Sequence, residues 1–188
     1  GEICYITTGG DRLMAEVIKV VGSDVYVQVF ESTRGLKVGS EAEFTGHQLE
    51  IQLGPGMLSK NYDGLQNDLD KMDGVFLRRG QYTDPLDNDR LWDFEPIVKA
   101  GDRVEGSAWL GKVEENHQPL KIMAPFTLKG TAVVKSIVPA GKYKVHDTIA
   151  VLTTEAGEDI NVTMVQRWPV KFAMTNYKEK PRPFKLLE

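Results

Sequence analysis

Residues Val25–Phe30 read VYVQVF, so that valine stands at every second position. Alternate side chains of an extended chain point to the same side, and the three valines therefore share one face of a predicted β-strand. Four more short segments rich in β-branched or aromatic residues surround it: Ile3–Thr8, Leu13–Val21, Glu41–Phe44 and Leu49–Leu53. Short strands at this spacing, separated by glycine turns, are typical of an all-β protein and predict a small β-barrel or β-sandwich over residues 1–55.

A linker with one short helix is predicted over residues 56–84. Two glycines and a proline form the turn that ends the barrel: Gly54, Pro55 and Gly56. Three apolar residues then repeat at the spacing of one helical face: Leu65, Leu69 and Met72. Asp63 stands at the N-cap position, directly before Gly64, and Gln66 lies three residues after Asp63, as in a capping box.

A second β unit is predicted over residues 85–167, and it is entered through a polar loop that runs from Tyr82 to Glu95. Its strand-like segments are separated by glycine turns: Ala108–Val113, Leu120–Ala124, Thr131–Val138 and Asn161–Gln166. Residues 168–188 contain several prolines among basic residues, and this composition predicts an extended linker.

The composition excludes several kinds of function. The 188 residues carry 23 lysines and arginines against 27 aspartates and glutamates, for a net charge of −4. This balance lacks the positive field that draws proteins onto nucleic acid, so no nucleic-acid partner is expected. No apolar run approaches the length of about 18 residues that a membrane span needs, so no membrane insertion is expected. The single cysteine, Cys4, cannot form an internal disulfide and fits a reducing compartment.

No catalytic, cofactor-binding or metal-binding motif is found in the sequence. The phosphate-binding pattern GxxxxGK[ST] and the nucleophile pattern GxSxG do not occur. The three histidines, His47, His117 and His146, are too widely separated for metal-ligand spacing. Asp68 and Asp70 begin a sequence similar to a calcium loop, but the later positions lack the required glycine and glutamate. We therefore predict that these carboxylates lie on the solvated face of the helix.

Several short motifs occur in a characteristic order along nearly the whole chain. Two follow the predicted barrel, LGPGML at Leu53–Leu58 and YDGLQNDL at Tyr62–Leu69. Five more come after them: Phe76–Gly80, Trp92–Pro96, Lys121–Pro125, Met164–Val170 and Lys180–Pro183. The first two resemble the stretch after the barrel in rotary ATPase subunits. The later ones resemble the catalytic A subunits of the vacuolar and archaeal type.

The resemblance implies a mainly β fold, with a truncated N-terminal β-barrel, a short helical linker and a barrel-sandwich-like insertion called the bulge. In that family the barrel begins one or two strands before the position of Gly1, and the nucleotide-binding domain begins beyond Glu188. The resemblance therefore implies no catalytic residue in this chain. It assigns ATP and Mg²⁺ to the longer parent subunit, which couples ATP hydrolysis or synthesis to proton or sodium transport.

Partners and location follow from the same resemblance. The barrel is expected to contact B subunits in a hexamer of alternating A and B subunits, and the bulge is expected to lie near the peripheral stalks. The parent is expected to be cytoplasmic and peripheral at the membrane, as part of the ATPase head. A structural role is expected for the following motif residues: Gly54, Pro55, Gly56, Asp63, Gly64, Gln66, Pro125, Trp168 and Pro169.

The resemblance thus implies that this chain is a scaffold that holds the hexamer and faces the stalk, and two alternatives to this function stay open. The segments Gly101–Gly106 and Gly141–Val145 resemble a biotinyl or lipoyl carrier, in which a modified lysine stands on a hairpin shortly before an Ala-Pro pair. In this chain the position that corresponds to the modified lysine, counted back from Ala124, is occupied by His117. Lys121 lies too close to the Ala-Pro pair to be presented on the hairpin turn. The sequence thus favours the carrier architecture without the carrier function. The other alternative is a stand-alone β binding module.

Overall fold

The computed structural model describes residues 1–72 and 79–173. The chain divides into two compact units. One unit is formed by Gly1–Asp87 together with Arg167–Phe172, and the other is built on Asn88–Gln166. The boundaries predicted from the sequence, after residues 55, 84 and 167, stay predictions.

Two of the sequence motifs fall outside the described residues, Phe76–Gly80 in part and Lys180–Pro183 entirely. Within the described ranges, every helical segment is too short and too polar to cross a lipid bilayer.

The first unit contains a four-stranded antiparallel sheet. Its strands lie in the order β3-β2-β1-β4 and have these bounds: β1 Glu2–Thr8, β2 Asp11–Val21, β3 Asp24–Val29 and β4 Glu41–Gln48. Two more strands, β5 (Glu50–Leu53) and β14 (Gln166–Pro169), pair with each other as a separate sheet. The strands predicted for this part of the chain are therefore confirmed.

The core of the first unit lies on one face of its four-stranded sheet. Cys4, Ile6 and Ala15 are at most 8% exposed, and Val27 and Val29 pack against them. Alternate residues of β1, β2 and β3 face this core, as the period of two requires, whereas β4 at the sheet edge is mostly exposed. The valine repeat that predicted strand β3 therefore also identifies the face of β3 that packs inward.

The second unit consists of two four-stranded antiparallel sheets. The first has the order β11-β6-β8-β9: β6 Leu91–Pro96, β8 Trp109–Glu115, β9 Gln118–Met123 and β11 Gly141–Lys144. The second has the order β13-β12-β10-β7: β7 Arg103–Glu105, β10 Thr131–Ile137, β12 Ala150–Thr154 and β13 Asp159–Val162. The mainly β fold class is confirmed.

The polar loop predicted from Tyr82 to Glu95 is confirmed for residues 82–90 and is wrong for its last five residues, which belong to strand β6. Trp92 and Phe94 are at most 2% exposed, and they alternate with Leu91, Asp93 and Glu95, which face solvent. A half-buried strand carries its charged residues on alternate positions, so its average composition is polar although one face is apolar.

The helix predicted in the linker is wrong. Among the described linker residues only one 3-10 turn forms, at Leu69–Lys71. Gln66 has a φ of +63°, which lies outside the α-helical region. Its side chain bonds to strand β5 and does not reach back to Asp63. An apolar stripe of three residues stabilises too little helix to compete with these contacts.

Acid is expected to weaken the second unit through Asp159. Hydrogen bonds from the Lys135 ammonium and from the Thr153 hydroxyl hold the pKa of the Asp159 carboxyl below its usual value of 3.8. A carboxyl with a depressed folded-state pKa stabilises the protein above its unfolded pKa, and that stability is lost as the pH falls through the folded pKa. As the pH falls below about 4, the free energy of unfolding of Asp159→Asn should therefore decrease less than that of the wild type, as measured by urea unfolding. The exposed control Glu158→Gln should show the same pH dependence as the wild type.

Candidate functional site

Strand β5 is hydrogen-bonded to two separate parts of the chain. It pairs with β14, and just beyond that strand the Val170 N–H donates to the Leu49 carbonyl at 2.9 Å. Gln52 in the middle of β5 bonds instead to the side chain of Gln66, which accepts from the Gln52 N–H and donates to the Gln52 carbonyl, both at 2.7 Å. This is the pair of bonds that a neighbouring strand residue makes. The Gln66 amide therefore acts as a one-residue extension of the sheet.

Asp63 holds the loop that presents Gln66. Its Oδ1 accepts from the Leu65 N–H at 2.9 Å and from the Asn67 N–H at 2.8 Å. Its Oδ2 accepts from the Asn67 side-chain amide at 2.8 Å. Bonds to a charged acceptor are stronger than neutral ones, so one carboxylate fixes the turn on both sides of Gln66.

Asn67 and Asp68 join this loop to Thr83. The Thr83 N–H donates to Asn67 Oδ1 at 2.9 Å, and the Asp68 N–H donates to Thr83 Oγ1 at 2.7 Å. Gln66, Asn67 and Asp68 are all at most 9% exposed. We call this group of polar residues the β5 junction: Gln52, Asp63, Gln66, Asn67, Asp68 and Thr83.

The carboxylate of Asp68 is buried, which contradicts the solvated position predicted for it. Its side chain is 1% exposed, and the ammonium groups of Lys60 and Lys71 lie 3.3 and 3.8 Å from its Oδ2. Two cations offset the cost of removing the carboxylate from water. Asp70, in contrast, is half exposed, as predicted.

Most of the motif residues singled out in the sequence lie around β5. Gly54, Pro55 and Gly56 follow it directly, Pro55 is fully buried, and Gly56 has a φ of +103°, which glycine adopts without strain. Trp168 and Pro169 belong to β14, the partner strand of β5.

The remaining motif residues differ in what they contribute. Gly64 lies in the loop between Asp63 and Gln66, where an added Cβ would meet no atom within 4 Å. Pro125 lies in the second unit, where its carbonyl accepts from the Leu128 N–H at 3.0 Å, and so it is not part of the junction.

Sequence reasoning missed the junction roles of Asn67, Asp68 and Thr83. A signal was available, because Gln66, Asn67 and Asp68 are consecutive polar residues between two leucines. The helical spacing of the leucines instead predicts a capping-box role for Gln66 and a solvated position for the Asp68 carboxylate.

Tyr82 anchors a second polar contact in the first unit. Its hydroxyl donates to the Glu31 carboxylate at 2.6 Å and accepts from the Met14 N–H at 2.8 Å, while the Gly80 N–H donates to Glu31 at 2.7 Å. Burial and the hydrogen bond to Glu31 raise the pKa of the Tyr82 phenol well above its usual value of 10. The phenol therefore stays protonated and keeps its role as a donor.

The geometry points to structural contacts. Within residues 1–72 and 79–173, no group of three or more His, Cys, Asp or Glu side chains is placed to hold a metal ion. The carrier alternative is not supported either. Asn116 and His117 form the turn between β8 and β9, and Lys121 lies inside β9 with its ammonium 4.7 Å from the centre of the Trp109 ring.

Two family models match the chain. The beta-barrel domain of the ATP synthase alpha/beta family matches residues 1–46. The barrel-sandwich domain of the ATP synthase alpha/beta subunit matches residues 83–171. The chain belongs to the ATP synthase alpha/beta family. In this family member the loop of the β5 junction, residues 61–72, lies between the two matched domains.

Curated relatives match this ATP synthase family chain over nearly its whole length. A protein named V-type ATP synthase alpha chain from Treponema denticola is 44% identical over 99% of the chain. Its namesake from Borrelia hermsii is 44% identical over 97% of the chain, and that from Borrelia garinii is 42% identical over 97%. The chain spans 32% of the length of each of these relatives.

Gln66→Glu is expected to weaken the junction at neutral pH and less so in acid. One oxygen of the new carboxylate can still accept from the Gln52 N–H. The other oxygen replaces the amide nitrogen that donates to the Gln52 carbonyl in the wild type, so two acceptors face each other. The unfavourable contact should cost about 2 kcal/mol at pH 7. It raises the folded pKa of the new carboxyl, so the cost should shrink as the pH falls through that pKa and the protonated acid becomes a donor.

Hydrogen exchange of residues 50–53 at pH 7 and in mild acid measures this effect. The control is Gln28→Glu, at an exposed position of β3, which should change exchange little at either pH. Equal destabilisation by Gln66→Glu at both pH values would show that the Gln66 side-chain donor is unimportant.

Proposed function

We propose that this chain is the barrel and bulge portion of the catalytic A subunit of a V-type rotary ATPase and that it acts there as a scaffold. The observation that carries the proposal is the match, over 97–99% of the chain, to proteins named V-type ATP synthase alpha chain. The parent subunit hydrolyses or makes ATP and couples that reaction to the transport of protons or sodium ions. ATP and Mg²⁺ bind to another part of the parent subunit.

The β5 junction supports the scaffold part of the proposal. Fully bonded buried polar groups fix one arrangement of the chain, because every alternative leaves some of them without a partner. Gln66, which is 9% exposed, makes two bonds of 2.7 Å to Gln52, and the half-buried Asp63 accepts three bonds of 2.8 to 2.9 Å that hold the loop presenting Gln66. In the parent, a linker held in this way would keep the barrel strands in place while the subunit works against a load.

The partners and the location belong to the same proposal. The first unit would contact B subunits in the hexamer of alternating A and B subunits, and the second unit, as the bulge, would lie near the peripheral stalk. The parent would be a cytoplasmic protein, peripheral at the membrane as part of the ATPase head.

Assembly of the parent tests this function. Full-length alpha chain carrying Gln66→Glu should form fewer hexamers with the B subunit in native mass spectrometry, while ATP turnover per assembled hexamer stays at the wild-type value. Gln28→Glu serves as the matched control. Normal assembly together with reduced turnover per hexamer would contradict a scaffold role and would point to a direct role in catalysis.

A further inference from the structure

Strand β3 forms one outer edge of the four-stranded sheet in the first unit. Among the described residues it pairs with β2 alone. Directly after β3, the Phe30 N–H donates to the Met14 carbonyl of β2 at 3.1 Å. In an antiparallel ladder, residues whose backbone groups face the neighbouring strand alternate with residues whose groups face away from it. The N–H and C=O groups of Val25, Val27 and Val29 therefore point to the open edge.

The composition of β3 leaves this edge unprotected. Exposed edge strands are usually shielded by charged side chains, prolines or bulges. In β3 the only charged residue, Asp24, stands at the first position, and the strand contains no proline or glycine. The opposite edge of the sheet differs, because β4 carries exposed glutamates at Glu41 and Glu43 and a φ of +77° at Gly46. Of the two edges, β3 is therefore the one open to a further strand.

The inward face of the sheet is also left uncovered beside this edge. Val27 and Val29 pack against the core of the first unit. Val25 lies on the same face of β3 and is 42% exposed, and Val20, its partner in β2, is 61% exposed. The apolar row of the core thus continues to the end of the β2–β3 hairpin, where it faces solvent.

We propose that the outer edge of β3 pairs with β3 of a second copy of this chain, antiparallel and around a two-fold axis at Val27. A two-fold interface uses the same surface on both partners, so that surface must be complementary to itself. In this register Val25 lies opposite Val29 of the second copy, and the two Val27 residues lie opposite each other. Each of the three valine pairs exchanges two N–H···O bonds, because all of these groups point to the edge.

The other face of β3 fits the same register. Tyr26 lies opposite Gln28 of the second copy, and neither side chain is charged. A shift of the pairing by two residues loses one valine pair. A shift by one residue sets the outward backbone groups of the valines against residues whose own groups face β2. The alternating order of valine, Tyr26 and Gln28 therefore matches a second copy of β3 in one register.

Sedimentation equilibrium and residue-resolved hydrogen exchange of the whole chain test this dimer. We expect a dimer whose population rises with the chain concentration. The amides of Val25, Val27 and Val29 should exchange more slowly as it forms, because their N–H groups are bonded only in the dimer. The amides of Tyr26 and Gln28 face β2 and should be protected at every concentration, which also shows that the sheet is folded.

Two double variants separate this pairing from general association. Y26K/Q28K places lysine opposite lysine on both sides of the axis and should raise the Kd of the dimer about tenfold. Y26K/Q28E places lysine opposite glutamate instead and should dimerise at least as tightly as the wild type. The Tyr26 change is common to both variants. Its effect on Lys19 of β2, whose ammonium lies 5.8 Å from the centre of the Tyr26 ring, therefore cancels.

Three results would overturn the proposal. They are a monomer at every concentration, an equal Kd for the two double variants, and protection of the three valine amides that does not depend on concentration. The last result would show that the chain itself covers the edge of β3. Hexamer assembly is measured separately on the full-length subunit, so failure of the dimer leaves the scaffold proposal standing.

Discussion

Replacing Gly111 with alanine is expected to lower the free energy of unfolding of the second unit by about 3 kcal/mol. A Cβ at this position would lie 2.2 Å from Cε2 and 2.4 Å from Cζ of Phe94, and 2.8 Å from the Glu95 carbonyl oxygen. Phe94 is completely buried and packs edge-on against Tyr143 with ring centres 6.3 Å apart. Neither the ring nor the backbone can give way without opening the core, so the substitution forces β6 and β8 apart.

Urea unfolding followed by tryptophan fluorescence measures this loss, because Trp92 and Trp109 both lie in the second unit. The control is Gly64→Ala, at a glycine where an added Cβ meets no atom within 4 Å. That variant should unfold at or slightly above the wild-type urea concentration, since alanine restricts the unfolded chain. A Gly111→Ala variant as stable as the wild type would show that the core around Phe94 is loosely packed.

Replacing Asp63 with alanine is expected to destabilise the β5 junction by about 3 kcal/mol. The change removes three hydrogen bonds of 2.8 to 2.9 Å to Leu65 and Asn67. It also frees the loop that presents Gln66 to Gln52, so faster hydrogen exchange is expected both in residues 63–69 and in strand β5. The loss should therefore extend beyond the residues that Asp63 itself contacts.

The matched control is Asp70→Ala, a few residues along the same loop. Asp70 is half exposed, and its carboxylate lies 3.7 Å from the Lys60 ammonium, which makes it a weak surface pair. Its removal should change the free energy of unfolding by at most about 0.5 kcal/mol. If both variants accelerated exchange in β5 equally, the junction would depend on loop charge and not on the hydrogen bonds of Asp63.

Strands with a clear period of two could be predicted from the sequence. Val25, Val27 and Val29 indicate strand β3, and Val27 and Val29 pack on the core while Val25 at the strand end is 42% exposed, because alternation depends on backbone geometry and burial on position in the sheet. Strand β6 was missed for the converse reason. Asp93 and Glu95 occupy its solvent face, and with Pro85 and several aspartates just before it the whole stretch has a polar composition.

The β5 junction was beyond prediction because its bonds connect residues distant in sequence. Asp63 is predicted as a helix N-cap; no helix follows it, but its carboxylate accepts from the Leu65 and Asn67 N–H groups, which are local contacts. The partner of Gln66 is Gln52, fourteen residues earlier, and the local pattern suggested a capping box with Asp63. The positive φ of Gln66 cannot be predicted from its residue type. The spacing of Leu65, Leu69 and Met72 is therefore compatible with a helix and with this junction.

A scaffold role for this chain places the nucleotide site elsewhere in the parent subunit. Isothermal titration of Mg–ATP into the chain, beside the same titration into a full-length alpha chain assembled with its B subunit, tests this role. We expect no binding heat from the chain alone and saturable binding by the assembled subunit. Saturable binding of Mg–ATP to the chain itself, or release of phosphate by it, would show that the chain carries a nucleotide site and is not only a scaffold.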